Sequence, residues 1–461
     1  MMRRFVQFVF TCGGGGLLMI LSGCTMTPHG TASLKAAARK DGDIYRAIGP
    51  IRSAPLPHHP TASELVTYAL MHSPTVEADY WQFRAAIERI PQAGTEMTTP
   101  MLSGDLALLN GTASAANSTV GIANMGSSDI RWPSKPAADA KIALDRARAA
   151  QSRLRAAQYR LRRQVLTAWY RLIYTRDLLR DIHSQITNDR MAINAVREEV
   201  VNDRTPADMP VGQGIQLTRL KLKRIELRRL AASETAQLNS LLNRPVHKTI
   251  HTPPHLPAIQ RPLPSYATLL RMAVRHNPEL RRQHWLRHTG ESAVSRAEMQ
   301  FIPNFDLGAM TSLDGAMQNL QGAVMFPIVR YRAIDASVRQ AQFDVLNSEE
   351  GILSMRNDLA RRLATDLIAI RSDAKQLTVI KSRLLPRLQE MKHFADVKIE
   401  QNGIGLTSEL KASNSIIRIH ELQLSLQLDR LIRNADIDAV TAVPVASVHQ
   451  PVPRPGASSG K

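Results

Sequence analysis

From Ala137 to about Asp203 the chain carries neither glycine nor proline, and its apolar residues fall on a beat of seven. Ala147, Leu154, Leu161 and Ala168 set the beat; after a shift of one helical turn, Leu172, Leu179, Ile186, Ile193 and Val200 continue it. A seven-residue beat held this long predicts a helix packed along its length against other helices. At 1.5 Å per residue such a helix, over about 137–203, reaches roughly 100 Å.

The chain then repeats itself. Leu65 to Pro74, which ends Met71-His72-Ser73-Pro74, is answered by Leu269 to Pro278, which ends Arg275-His276-Asn277-Pro278. Each opening predicts a short amphipathic helix and then a second helical run, to Pro100 or to Pro303, with Pro91 interrupting the run in the first copy. A charge-poor stretch closed by Trp132-Pro133 or Phe326-Pro327 follows, then a long helix, a break at Gly212/Gly214 or Gly403/Gly405, and a returning helix. A period this long is a duplicated half-domain rather than a solenoid. The copies span residues 61–258 and 259–440, with long helices at about 137–203 and 328–402 and return helices at about 215–244 and 406–435.

The charge-poor stretches lie at about 101–132 and 304–327; the second alternates with a period of two, the first less cleanly. Phe305, Leu307, Ala309 and Thr311 oppose Asn304, Asp306, Gly308 and Met310 ahead of an Asp314-Gly315 turn. Strands of about ten residues with one apolar and one polar face fit a transmembrane barrel. A soluble two-stranded flap is the alternative. Two strands per copy leave four in the chain, too few to close, so a spanning barrel requires an oligomer. The fold class is mainly α with a small β part.

Met1 to Arg4 is basic, Phe5 to Leu21 is apolar, and Leu21-Ser22-Gly23-Cys24 follows at once. This resembles a bacterial lipobox, which implies removal of residues 1–23 and acylation of Cys24. Cys12 leaves with the signal, so no thiol remains for a disulfide. Thr25 is not the Asp that retains such lipoproteins at the inner membrane in the pattern this resembles. Residues 24–60, punctuated by Pro28, Pro50, Pro55, Pro57 and Pro60, read as an extended linker carrying His29, His58 and His59, which are either solvated or metal-sampling. Residues 441–461 form a disordered Pro-rich tail.

Composition narrows the partners. Aromatics are only 5%, which leaves packing to aliphatic residues and favours helix. The 59 Lys and Arg against 40 Asp and Glu give +19, yet Arg153, Arg155, Arg160, Arg162 and Arg163 flank the heptad seam as solvated faces do, and no motif points to nucleic acid. There is no phosphate loop, no His-Glu-x-x-His and no Gly-x-Ser-x-Gly, so no catalytic residue, metal ligand or cofactor is assigned.

Taken in order, these features resemble the TolC-like outer-membrane efflux channels over roughly Thr61 to Val440. The resemblance rests on the paired openings at Pro74 and Pro278, the hairpin-then-long-helix order, and the return helix ending Leu238-Asn239-Ser240-Leu241-Leu242-Asn243-Arg244-Pro245. Leu385-Pro386 and the break from Asn402 to Thr407 add to it, and the Leu238 to Pro245 run looks most like the heavy-metal branch. The family implies a homotrimer whose twelve strands close one barrel in outer-membrane lipid. Below it an α-helical barrel crosses the periplasm to an adaptor and an inner-membrane pump. Heavy-metal ions, drugs or other small molecules, and type I secretion substrates remain alternative cargoes; a lipid-anchored periplasmic coiled-coil scaffold is the alternative role.

In the family the helix breaks meet the adaptor or pump, which implies docking tips at Gly212 and Gly214 and at Gly403, Ile404, Gly405, Leu406 and Thr407. Thr407, or Ser408, would cap the returning helix, with Ile404 and Leu406 as exposed apolar contacts. Glu198, Glu199, Asp203, Asp396 and Glu400 lie near the same breaks. Threefold symmetry would turn any inward carboxylate into a ring that selects cations; acidic caps on solvated helix ends are the alternative.

Overall fold

The computed structural model describes residues 26–42, 56–95, 101–105, 108–109, 112–114, 117–123, 131–201, 209–258, 263–312, 318–325, 330–402 and 406–442. The elements of the first copy are α2 (Ala62–His72), α3 (Pro74–Gly94), β1 (Met101–Asp105), β2 (Leu108–Leu109), β3 (Thr112–Ala113), β4 (Thr119–Ala123), α4 (Ser134–Val201) and α5 (Met209–Leu241), preceded by α1 (Thr31–Gly42). Those of the second are α6 (Tyr266–His276), α7 (Pro278–Glu298), β5 (Asn304–Ser312), β6 (Gln318–Met325), α8 (Tyr331–Val379), α9 (Leu385–Asn402) and α10 (Leu406–Thr441). The chain divides into two compact units: Met1–Ile44 with Asp79–Leu154 and Glu279–Ser354, and Tyr45–Ala78 with Arg155–Pro278 and Met355–Lys461.

In the first unit the four longer strands make one antiparallel sheet in the order β1-β4-β5-β6, while β2 and β3 form a two-residue ladder. Lys135 at the start of α4 donates to the Ile302 carbonyl at 2.8 Å, just ahead of β5. Asp139 on α4 holds Arg131 at 3.0 Å and Arg296 of α7 at 2.8 Å. The expectation of an extended linker over 24–60 is corrected here, because Thr31–Gly42 is helical. No proline falls between Pro28 and Pro50, and Leu34 and Ala38 give this Ala- and Lys-rich run an apolar face to bury. Tyr80 of α3 donates to the Ala38 carbonyl at 3.2 Å. Pro91 does not interrupt α3, which runs on to Gly94. It falls in the last turn, where few residues follow, and Ile87 and Ile90 stay fully buried on the same helix.

In the second unit the heptad reading of α4 holds for Leu161, Ala168, Leu172, Ile186 and Ile193, all buried; Leu179 and Val200 are half-buried. Helix α10 lies antiparallel to α4. Tyr159 donates to the Ala442 carbonyl at 2.5 Å, Arg163 pairs with Asp436 at 3.1 Å, Gln185 donates to Glu421 at 2.9 Å and Asn414 donates to Asp189 at 2.6 Å. Partners descend α10 as they ascend α4. Arg162, expected on a solvated face together with Arg163, also crosses to α10, at Asp438.

The second long helix, which Pro386 is expected to kink, changes its turn just before that proline. Between α8 and α9 the chain takes a π-turn at Ile380–Leu384, in which the Leu385 N–H donates to the Ile380 carbonyl, five residues back. Pro386 has no N–H and its ring would press on the carbonyl four residues before it. Widening the preceding turn removes that clash.

Candidate functional site

Strand register sorts the sheet into two faces, since residues directly opposite one another share a face. Leu102 pairs with Ile122, Ile122 with Ala309, and Ala309 with Leu320; Val120 pairs with Thr311, Phe305 with Val324 and Leu307 with Gly322. That face is almost wholly apolar across all four strands. The opposite face is mixed: Ser103, Asp105, Thr119, Asn304, Asp306, Asn319 and Gln321 stand among Met101, Met310, Ala323 and Met325. Val120 and Val324 on the apolar face are 36% and 57% exposed. The sheet is open, with β1 and β6 at its edges. The Asp314-Gly315 turn lies outside the described residues. Among the described residues no helix is long and apolar enough to cross a membrane.

Of the predicted tip residues, Gly212 and Gly214 fall in α5, and Leu406 and Thr407 in α10. Because α4 and α10 are antiparallel, the C-terminus of α4 and the N-terminus of α10 lie at one end of the second unit. Glu198 is exposed in the last turn of α4, in which Glu199 also stands; Asp396, half-buried, and Glu400 belong to α9. Cys24, Asp203, Gly403, Ile404 and Gly405 lie outside the described residues.

Two local expectations are corrected. Helix α5 begins at Met209, so Gly212 and Gly214 stand inside its first two turns instead of forming a break. Pro210 in the first turn fits a helix start, and no atom lies within 4 Å of where either glycine would carry a Cβ. Helix α10 begins at Leu406, which puts Thr407 within the first turn rather than before it.

A polar seam escaped the heptad reading. Asp177, Asp181, Gln185 and Asp189 recur every fourth residue along α4, a spacing that keeps them on one helix face and could have disclosed the seam. Asp181 meets His420 at 2.8 Å, and Glu421 takes Lys223 of α5 at 3.0 Å beside Gln185. Burial pushes the Asp181 carboxyl above its ordinary range against the opposing pull of His420, and it raises Asp189 against the pull of Asn414. These groups order three helices at a common level.

The run from Leu238 to Pro245 has a structural explanation. Leu238 and Leu242 are fully buried, Asn243 takes a positive φ of 53°, and the Arg244 N–H donates to the Asn239 carbonyl at 2.9 Å. This is a left-handed helix stop. The Asn239 amide donates to the carbonyls of Val246 and Lys248 at 3.0 and 2.7 Å, turning the chain sharply after α5.

No family model and no curated protein sequence matches the chain. Solved structures do match. The outer-membrane channel OprN aligns with TM-score 0.69 at 12% identity over 82% of this chain and 89% of its own. The open-state MtrE outer-membrane channel of Neisseria gonorrhoeae aligns with TM-score 0.66 at 17% identity over 83% and 89%. CusC, whose structures are described in terms of folding and transmembrane channel formation, gives 0.63 at 16% over 82% and 91%. At these identities the likeness is one of fold: the chain has the fold of outer-membrane channel proteins.

Proposed function

We propose that the chain is one subunit of a passive homotrimeric duct through the bacterial outer membrane, taking cargo from an inner-membrane pump by way of a periplasmic adaptor. The observation that carries this reading is the sheet with one apolar face, one more polar face and two open edges. In hydrocarbon an open edge leaves backbone groups unpaired, so such a sheet is stable there only when neighbouring copies close it. Exposed apolar side chains on α8, including Phe343 and Ile368, supply contact surface for those copies. The fold shared with outer-membrane channels supports the same reading.

The test is an arginine scan across one strand. Leu307→Arg places charge on the lipid side and should cost about 2–4 kcal/mol near the bilayer midplane, whereas Gly308→Arg faces water. Trimer yield and bilayer conductance should fall only for Leu307→Arg. Equal yields for the two variants would overturn the barrel.

Anchoring and docking complete the proposal. Acylation at Cys24 ties the duct to outer-membrane lipid; Cys24→Ser should lose palmitate labelling, and normal labelling would refute the anchor. The hairpin ends meet the adaptor; Leu406→Asp should abolish adaptor crosslinking with trimer abundance unchanged, and retained crosslinking would remove the docking role.

Cargo is argued from the carboxylates. The Leu238 to Pro245 run also terminates α5. Exposed Glu198 at the end of α4, repeated by threefold symmetry, makes an acidic ring suited to cations, heavy-metal ions among them. Glu198→Gln should then lower cation over anion permeability. An unchanged reversal potential would leave a duct for small molecules or secreted protein.

A further inference from the structure

Four histidines converge in the second unit from two stretches far apart in sequence. The His251 ring lies 5.3 Å from that of His59 and 6.1 Å from that of His58, centroid to centroid. His255 lines the same open cavity, of about 380 Å³, as His59 and His251, with Trp169, Tyr170 and Ile173 behind. All four histidines are exposed. We propose that these imidazoles form a binding site for a borderline divalent transition-metal ion, of the zinc, nickel or copper(II) class.

Ligand chemistry, spacing and support argue for it together. Imidazole nitrogen is the donor these ions share. With metal–nitrogen bonds near 2.0–2.1 Å, two imidazoles on one tetrahedral ion have ring centroids roughly 5 Å apart, close to the spacing of His59 and His251. The His58 and His251 rings, 6.1 Å apart, reach the same spacing by a small rotation of exposed side chains. His251 is therefore the common ligand.

Both arms are held before any ion arrives. Pro57 and Pro60 bracket His58 and His59, and Pro253, Pro254 and Pro257 surround His255, fixing φ at five positions. Arg176 of α4 donates to the Ile250 carbonyl at 2.7 Å and to the Thr252 hydroxyl at 3.0 Å, flanking His251 on both sides, and Arg180 donates to the Pro254 carbonyl. The Nδ1 of His255 meets the buried Asp177 carboxylate at 3.1 Å, which leaves its Nε2 for a ligand bond. A carboxylate behind the far nitrogen is the usual support of a metal-binding histidine. Among the described residues no three such donors are grouped as a bound ion would need, so binding requires the exposed rings to rotate towards one another.

The site is independent of the duct reading and of its cargo. The test uses untagged full-length protein in detergent, stripped with chelator and titrated with zinc and, separately, copper(II), with binding read by competition against a chromophoric chelator. Expected is one site per chain, weakened at least tenfold by His251→Ala and by the pair His58→Ala with His59→Ala. His183→Ala, on α4 outside the cluster, serves as control and should leave affinity unchanged. Copper(II) resonance should show several coupled imidazole nitrogens, reduced in His251→Ala. Thermal melting of each metal-free variant checks the fold, and His251→Gln substitutes should folding of the alanine variant fail. Affinity equal in wild type, cluster variants and control would overturn the site, as would a copper signal with no imidazole coupling.

Discussion

The two long helices descend from the same half of the repeat and have taken opposite roles. Along α4, Leu154, Leu172, Ile173 and Ile182 are completely buried, and between Tyr159 and Asp189 the helix meets α10 by hydrogen bonds and ion pairs. Along α8 and α9, Phe343 is 66% exposed, Ile368 68% and Phe394 59%. One helix is the hub of its chain and the other presents an apolar face outward. A monomer has no use for that face, whereas a ring of identical chains does. Among the described residues the π-turn before Pro386 has no counterpart in the first copy, and a π-turn re-aims the side chains beyond it. Duplication has supplied two similar rods, and the second carries an exposed apolar face beside the buried stripe of Leu359, Leu363 and Leu367.

The comparison predicts its own largest effect. Leu172→Ala opens a cavity inside the hub and should destabilise the protomer by about 2–5 kcal/mol, seen as a lower melting temperature and less folded protein in detergent. Ile368→Asp, on the outer helix, should shift protomer stability by no more than about 0.5 kcal/mol while removing the trimer in crosslinking. Equal melting temperatures for the two variants would erase the distinction between hub and face. Retained trimer in Ile368→Asp would detach the exposed face from assembly.

Much of this was legible in the sequence for physical reasons that particular residues make plain. The apolar positions of α4 could be read because a heptad seam needs only periodicity, and Leu161, Leu172 and Ile186 are buried as that seam requires. The two faces of β5 could be read because pleating alternates side chains regardless of partner. What periodicity could not show was polar pairing. Asp181 and Asp189 of α4 meet His420 and Asn414 of α10 across more than two hundred residues. Helix α1 was hidden by the prolines around it. The break assigned to Gly212 and Gly214 failed because glycine permits a left-handed turn without requiring one, and among the described residues the one glycine with positive φ is Gly30. The histidine cluster depends on a chain reversal fixed by Asn239, which no count of histidines could supply.

The smallest expected effect tests the polar seam that joins the two copies. Asp189 is buried and accepts a hydrogen bond from Asn414 at 2.6 Å, and burial lifts its carboxyl above the ordinary range despite that bond and the nearby Arg418. The folded chain therefore binds the Asp189 proton more tightly than the unfolded chain does. Its contribution to stability is fully present below the unfolded carboxyl value, about 3.9, and is lost as pH rises through the higher folded value. At neutral pH the ionised carboxylate thus opposes folding. Asp189→Asn keeps an oxygen to accept from Asn414 and removes the charge. The variant should be at least as stable as wild type near pH 7, and the gap should narrow as pH falls towards about 4. Melting both proteins in detergent across that range isolates the residue, because every other titrating group is common to the two. A variant less stable than wild type by a constant amount at every pH would show that the carboxylate acts through packing geometry and that burial of its charge does not set the seam's strength.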